Sequence, residues 1–290
     1  MRAYGNDKIV DAMIMVVIIT AGLFCLLPLL HIFALSLSAN GPILSGKVTI
    51  LPVEIDFSAY KAVFGNAAMI HSLLFTIGLV VLFTAISMLM TIMAAYPLTK
   101  PNLKGRNFFL LLIVLTMFFS GGMIPEYLLV KNLHLLDSIW ALILPGMVNA
   151  FYLLIIKTFF SSIPVELEES ARMDGANHFK ILWHVVLPLS LPVMATLSLF
   201  YAVGRWNGFM DALLYITKSE LYPLQLKLYE MVINSQVNDM AIAEGLNASV
   251  PIPESLKAAS IMFATIPILL VYPALQRYFI SGMMIGAVKG

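Results

Sequence analysis

Six apolar stretches constrain this chain more than any other feature: Asp11–Ser38, Ile70–Leu98, Phe108–Ile124, Ile139–Phe160, Leu187–Trp206 and Ala258–Phe279. Each is near or above the ~18 to 20 residues that a helix needs to cross a bilayer. Lipid offers the backbone no water, so every N–H and C=O must be satisfied within the segment, which helices do. Composition agrees, since 60% of the residues are hydrophobic and 11% charged, where a soluble domain carries roughly 25% charged residues. The expectation is an all-α integral membrane protein of six transmembrane helices, forming a single membrane domain over residues 1–290. The third stretch is short, and Pro188 and Pro192 stand near the start of the fifth.

Basic residues are retained on the cytoplasmic side, so their distribution orients the chain. With the N-terminus inside, Arg2, Lys8, Lys100, Lys104, Arg106, Lys157, Arg172, Lys180, Arg277 and Lys289 fall on cytoplasmic segments and adjoining span ends. The external loops hold Lys47, Lys61, Lys131, Lys218, Lys227 and Lys257, although they are longer in total. The short connection from Lys100 to Arg106 has three basic residues and no acid, and inversion would put it outside. Both termini are therefore expected in the cytoplasm. The first stretch reads as an uncleaved span, because its apolar core is too long for a signal peptide.

Several kinds of chemistry lack their residues. Cys25, the one cysteine, lies within the first apolar stretch and reads as a packing residue. Gly41–Lys47 (GPILSGK) has the glycine and lysine spacing of a phosphate-binding loop, but Val48 stands where the magnesium-binding hydroxyl belongs. His31, His71, His134, His178 and His184 show no metal-ligand spacing, and His178 and His184, six apart, lie on different faces of a helix. Asn247–Ser249 is formally a glycosylation acceptor and is set aside, since so short a pattern recurs by chance. A net charge of +1 gives no sign of a nucleic-acid partner. No catalytic residue and no metal site are assigned.

Between the fourth and fifth stretches lies a polar island, residues 161–188, with ESARMDGANHFKILWHVVLP at its heart. Pro164 suits a first helical turn, where its missing N–H costs little, and Glu166, Glu168 and Glu169 favour the positive end of that helix. Ser170 and Ala171 are small enough for close approach by a partner surface. Asp174-Gly175 offers a stop, because glycine tolerates the left-handed conformation that ends helices. Asn177 can cap a second helix, with an apolar face through Phe179, Leu182, Trp183 and Val186, until Pro188 breaks it. The reading is a short helix, a sharp turn and a second short helix leading into the fifth span.

That spacing resembles the cytoplasmic signature of binding-protein-dependent ABC importers: Glu-Ala-Ala, three residues, Gly, nine residues, then Ile-x-Leu-Pro. Glu169, Ser170, Ala171, Gly175, Leu187 and Pro188 carry the match, with Ser170 for the first Ala and Val185 for Ile. The whole layout resembles the six-span permease of carbohydrate importers of the maltose type. The end of the chain, Gln276–Gly290, is similar to that family's closing pattern, and Tyr222–Gln225 is similar to a subgroup linked to complex oligosaccharides.

The resemblance implies a type I ABC importer permease fold in a bacterial cell membrane. It implies a second homologous permease, two ATPase subunits that hold ATP and magnesium, and a solute-binding protein that delivers a sugar or oligosaccharide. No cofactor is implied for this chain. Glu169, Ser170, Ala171, Asp174, Gly175, Ala176, Leu187 and Pro188 would form the ATPase-coupling segment. A tail over residues 280–290, with Gly282, Gly286, Lys289 and Gly290, would reach between the ATPases, and the external loop 207–257 would touch the binding protein. Arg205, Asn207 and Asp211 are the candidate substrate contacts, as ionisable and polar groups at the external end of the fifth stretch; the alternative is that Arg205 snorkels to the interface and pairs locally. An importer for a phosphate ester, polyamine or peptide shares the signature. A secondary transporter would need ionisable groups deep in several spans, and here the span interiors are nearly free of them.

Overall fold

The computed structural model describes residues 5–243 and 253–287, with side chains over 10–236 and 253–271. Among the described residues thirteen helices follow in order, short 3-10 turns aside: α1 Gly5–Ser36, α2 Asn40–Leu44, α3 Ser58–Gly65, α4 Ala67–Ala95, α5 Arg106–Phe118, α6 Met123–Asn132, α7 Ala150–Ser161, α8 Val165–Met173, α9 His178–Leu189, α10 Leu191–Asn207, α11 Met210–Tyr215, α12 Leu224–Ala243 and α13 Glu254–Ala287. No strand is formed among the described residues. The segment from Pro223 to Val232, whose alternation leaves strand or helix open, lies at the start of α12.

The six apolar stretches are realised in two ways. Three helical segments are long and apolar enough to cross a membrane: Val10–Ser36, Ala67–Thr99 and Glu254–Val271. The remaining apolar length lies in helices paired across sharp bends, α5 with α6, α7 with α8 and α9 with α10, and the described helices reach six spans only if each pair is counted as one. The third stretch does not run to Ile124 as one helix; α5 stops at Phe118 and turns by 116° into α6. Gly122, at φ +87°, supplies the left-handed backbone for that turn. The fourth stretch is helical only from Ala150, because Ile139–Leu142 forms a 3-10 turn and Asn149 caps α7, accepting from the Phe151 and Tyr152 amides.

Pro188 does not break the helix that carries it. A π-helical turn over Leu182–Val186 precedes it, and the wider turn makes room for a ring that would otherwise strike the preceding carbonyl. The break falls at Ser190, whose hydroxyl donates to the Val186 carbonyl at 2.7 Å, and α10 leaves at 84° to α9. Pro192 then sits in the first turn of α10, where its missing N–H costs nothing. At the other end of the chain α13 continues past Phe279 to Ala287, so Gly282 and Gly286 stand in a helix. Lys289, Gly290 and the Asn247–Ser249 acceptor lie outside the described residues.

Two compact units are distinguished, one within residues 1–70 and 228–267, the other within 71–227 and 268–290. In the first, Ser38 donates to the Ala34 carbonyl and accepts from the Val53 amide, folding the 49–56 segment back on the end of α1. Phe64 meets Phe263 edge-on at 5.2 Å between centroids. Asn40 accepts from the Ser255 hydroxyl at 2.9 Å. In this unit Gly41–Lys47 is a helical turn and its C-cap, not a loop after a strand.

The second unit has the larger core, with Leu79, Phe83, Ile92, Leu142, Ile156, Leu197 and Tyr201 buried together. A polar thread runs through it: Tyr201 Oη shares a hydrogen bond with Thr91 Oγ1 at 2.8 Å and accepts from the Asn149 amide at 3.1 Å. Thr76 Oγ1 donates to Ser72 O and accepts from the Leu224 amide at 2.8 Å, so it satisfies one of the free amides at the start of α12. Lipid is as apolar as these side chains, so packing and hydrogen bonds between helices specify the arrangement more than hydrophobic burial does.

Candidate functional site

The polar island folds as α8, a turn and α9. Pro164 is the N-cap of α8, with Glu166 and Glu168 in the first turn and Arg172 in the last, each suited to the helix dipole at its end. Gly175 follows at φ +78°, and the Ala176 amide donates to Ala171 O while the Gly175 amide donates to Arg172 O, both at 2.9 Å. This pair of bonds is the Schellman end, which requires a left-handed residue at Gly175. Asn177 then caps α9, its Oδ1 accepting from the Lys180 amide at 2.9 Å.

Two faces result. Inward, Ile181, Leu182, Val186 and Leu187 are buried in the second unit's core, and Ala171 and Ala176 pack against it. Outward, Glu169, Ser170 and Asp174 are exposed, and Met173, 88% exposed, stands at the tip. The apolar face read from the sequence is therefore only half right. Leu182 and Val186 point in, but Phe179 and Trp183 are 60% and 54% exposed, each two residues from the buried Ile181 and so on the opposite side of the helix. Ala171 likewise serves this chain's own core and leaves Ser170 and Met173 on the open side. Pro188 is exposed beside the buried Leu187.

A groove of about 820 Å³ lies beside α8, lined by the 96–103 turn, the end of α7 and the start of α9. On its wall Lys100 Nζ donates to Glu168 and stands 4.3 Å from the centre of the Tyr96 ring. Arg172 lies one turn beyond Glu168 at 4.0 Å. The Arg106 Nε–H donates to Leu98 O at 2.8 Å and folds the basic loop back on itself. In the sequence Lys100 is legible only as an orientation signal, and nothing there pairs it with Glu168, 68 residues away.

Of the three candidate substrate contacts, Arg205 and Asp211 pair locally with each other. Arg205 is buried and holds Asp211 with its two terminal guanidinium nitrogens, Nη2 at 2.9 Å from Oδ1, while Nη1 also donates to Leu142 O at 2.9 Å. A Cβ on Gly208 would come within 2.7 Å of Arg205 Nη2, so only glycine leaves room for this clamp. Asn207 is exposed and donates to Val203 O at 3.0 Å. Asp137, which the sequence does not single out, ties two segments 80 residues apart together. It has φ +56°, and its carboxylate accepts from the Thr217 amide and hydroxyl and the Lys218 amide. Those hydrogen bonds hold its pKa below the usual aspartate value.

The profile of the binding-protein-dependent transport system inner membrane component family matches residues 88–285, which span every element of this site. The chain belongs to that family. The permease is 43% identical over 98% of its length, and 100% of the relative's, to the polygalacturonan/rhamnogalacturonan transport system permease protein YtcP of Bacillus subtilis (strain 168). It is 46% identical to protein LplC of the same organism, over 93% of its own length and 91% of that protein. Among solved structures, a bacterial ABC transporter involved in import of the acidic polysaccharide alginate has a chain of 35% identity and TM-score 0.87, covering 96% of the permease and 99% of that chain. The permease is thus the non-catalytic, multi-pass membrane subunit of an ABC importer, working with an ATPase and a solute-binding protein.

Proposed function

We propose that this permease passes a sugar or oligosaccharide of the acidic, uronic-acid-containing class. The observation that carries the reading is the full-length similarity to a permease named for polygalacturonan and rhamnogalacturonan, joined by the alginate importer's structural likeness. Nothing observed favours a phosphate ester, a polyamine or a peptide. Transport proceeds by alternating access in a complex with a second, homologous permease, two ATPase subunits and a solute-binding protein. ATP and magnesium stay on the ATPases, and this chain supplies no cofactor site.

Both termini lie in the cytoplasm, so α8 and the basic loop 100–106 face the ATPases. The ion pair that joins that loop to α8 supports one common side for both. Glu169, Ser170, Met173, Asp174 and Gly175 form the docking end. Closure of the ATPase dimer displaces α8, and the buried face of α9 passes the motion to α10. The loop 207–257 meets the binding protein, the chain end from Gly282 to Gly290 reaches the ATPases, and Asn207 is the exposed one of the three substrate candidates. The test is uptake by the reconstituted complex with its binding protein. Oligogalacturonides should be taken up and should outcompete neutral maltooligosaccharides; preference for the neutral sugar or for a peptide would refute the assignment.

A further inference from the structure

The side chains around Lys100 point to a second mechanical link. Lys100 is the C-cap of the 3-10 turn Pro97–Thr99 that follows α4. Its ammonium is held from two directions, by Glu168 of α8 and by the Tyr96 ring. Both members of the ion pair are largely shielded, with side chains 20% and 13% exposed. The loop beneath is short and closed by the Arg106 bond to Leu98 O, so it has little slack. Glu168 is the point at which α8 is joined by charge to another part of the chain among the described residues. A shielded, charge-assisted hydrogen bond is shorter and stronger than a neutral one and is directional, which apolar contact is not.

We propose that Lys100 is a positioning residue that ties α8 to the end of α4, so that movement of α8 is delivered to α4 through Glu168 as well as to α10 through α9. The proposal rests on the reading of α8 as the ATPase-docking element. Two connected segments would then move with one lever, and the ion pair would set how much transport each ATP yields.

The experiment uses the whole complex in liposomes and reads sugar taken up per ATP hydrolysed, with a photo-crosslinking residue at Met173 to report docking. Lys100→Met should insert with normal orientation, still crosslink to the ATPase, and lower the uptake-to-ATP ratio by about tenfold. Lys100→Arg should hold the ratio within about twofold, since it keeps the charge and the ring contact. The charge swap Lys100→Glu with Glu168→Lys should recover most of what Lys100→Met loses, which a purely structural or topological lysine would not allow. An unchanged ratio in Lys100→Met, or no recovery in the swap, overturns the proposal. Absence of a Met173 crosslink in the parental complex instead overturns the docking reading beneath it, whatever Lys100 does.

Discussion

Ala176 donates its amide to the Ala171 carbonyl at 2.9 Å, across the left-handed Gly175, and both alanines rest against the core. That bond fixes the angle at which α9 leaves α8. The open space around Gly175 means that a side chain there would meet no neighbour, so any penalty comes from the backbone alone. Gly175→Val should cost about 1–2 kcal/mol and misdirect α9, because a β-branched residue resists positive φ. Gly175→Asn should keep most of the uptake, since asparagine tolerates that region. Uptake together with ATPase copurification checks this, and Gly175→Val is expected to keep the ATPase bound while losing most of its transport.

The Arg205–Asp211 clamp should be structural. Asp211→Ala leaves a guanidinium that is 7% exposed without its carboxylate, and since the Asp211 side chain is itself about one-third exposed the loss should be about 1–3 kcal/mol. Gly208→Ala should reproduce part of the effect with no charge removed, by pushing Arg205 Nη2 aside. Both variants should show a lower melting temperature in detergent and lower membrane levels. A normal melting temperature with selective loss of sugar affinity would mark Arg205 as a substrate contact instead.

Much of this arrangement is legible in the sequence because local rules act within a few residues. The Pro164 start, the Asp174-Gly175 stop and the Asn177 cap each depend on a neighbour no more than five positions away. What the sequence hides depends on distant residues or on competing local rules. Helicity at Pro188 follows a π-helical turn that hydrophobic spacing does not reveal, and burial of Ile181 leaves Phe179 and Trp183, two residues to either side of it, exposed. The apolar run from Ile139 looks uniform, yet Ser138 and Asn149 impose separate caps that divide it. Lys100 with Glu168, and Asp137 with Thr217, are partners 68 and 80 residues apart, and no periodicity links them.

The Asp137 tether should depend on pH in a stated direction. Its pKa is depressed in the folded chain, chiefly by hydrogen bonds from Thr217, so its contribution is complete above the usual aspartate value of 3.8 and is lost as pH falls through the lower folded value. Hydrogen exchange of the segment around Thr217 and Lys218, corrected for intrinsic rate, should therefore stay flat from pH 7 to pH 5. It should rise only in more acid solution. Asp137→Asn should show raised exchange already at pH 7, because an amide is a weaker acceptor than the carboxylate.

The proposed docking role of α8 is tested most directly by Glu169→Lys. Glu169 is exposed and has no ion pair among the described residues, so the substitution should reverse the charge of the docking face with little effect on the fold. The measurement is ATPase copurification alongside sugar uptake, at membrane levels matched by immunoblot. The coupling account expects Glu169→Lys to reach parental levels in the membrane, lose most of the bound ATPase and lose uptake with it. Parental copurification and parental uptake in that variant would contradict it, leaving α8 and α9 as an ordinary connecting hairpin.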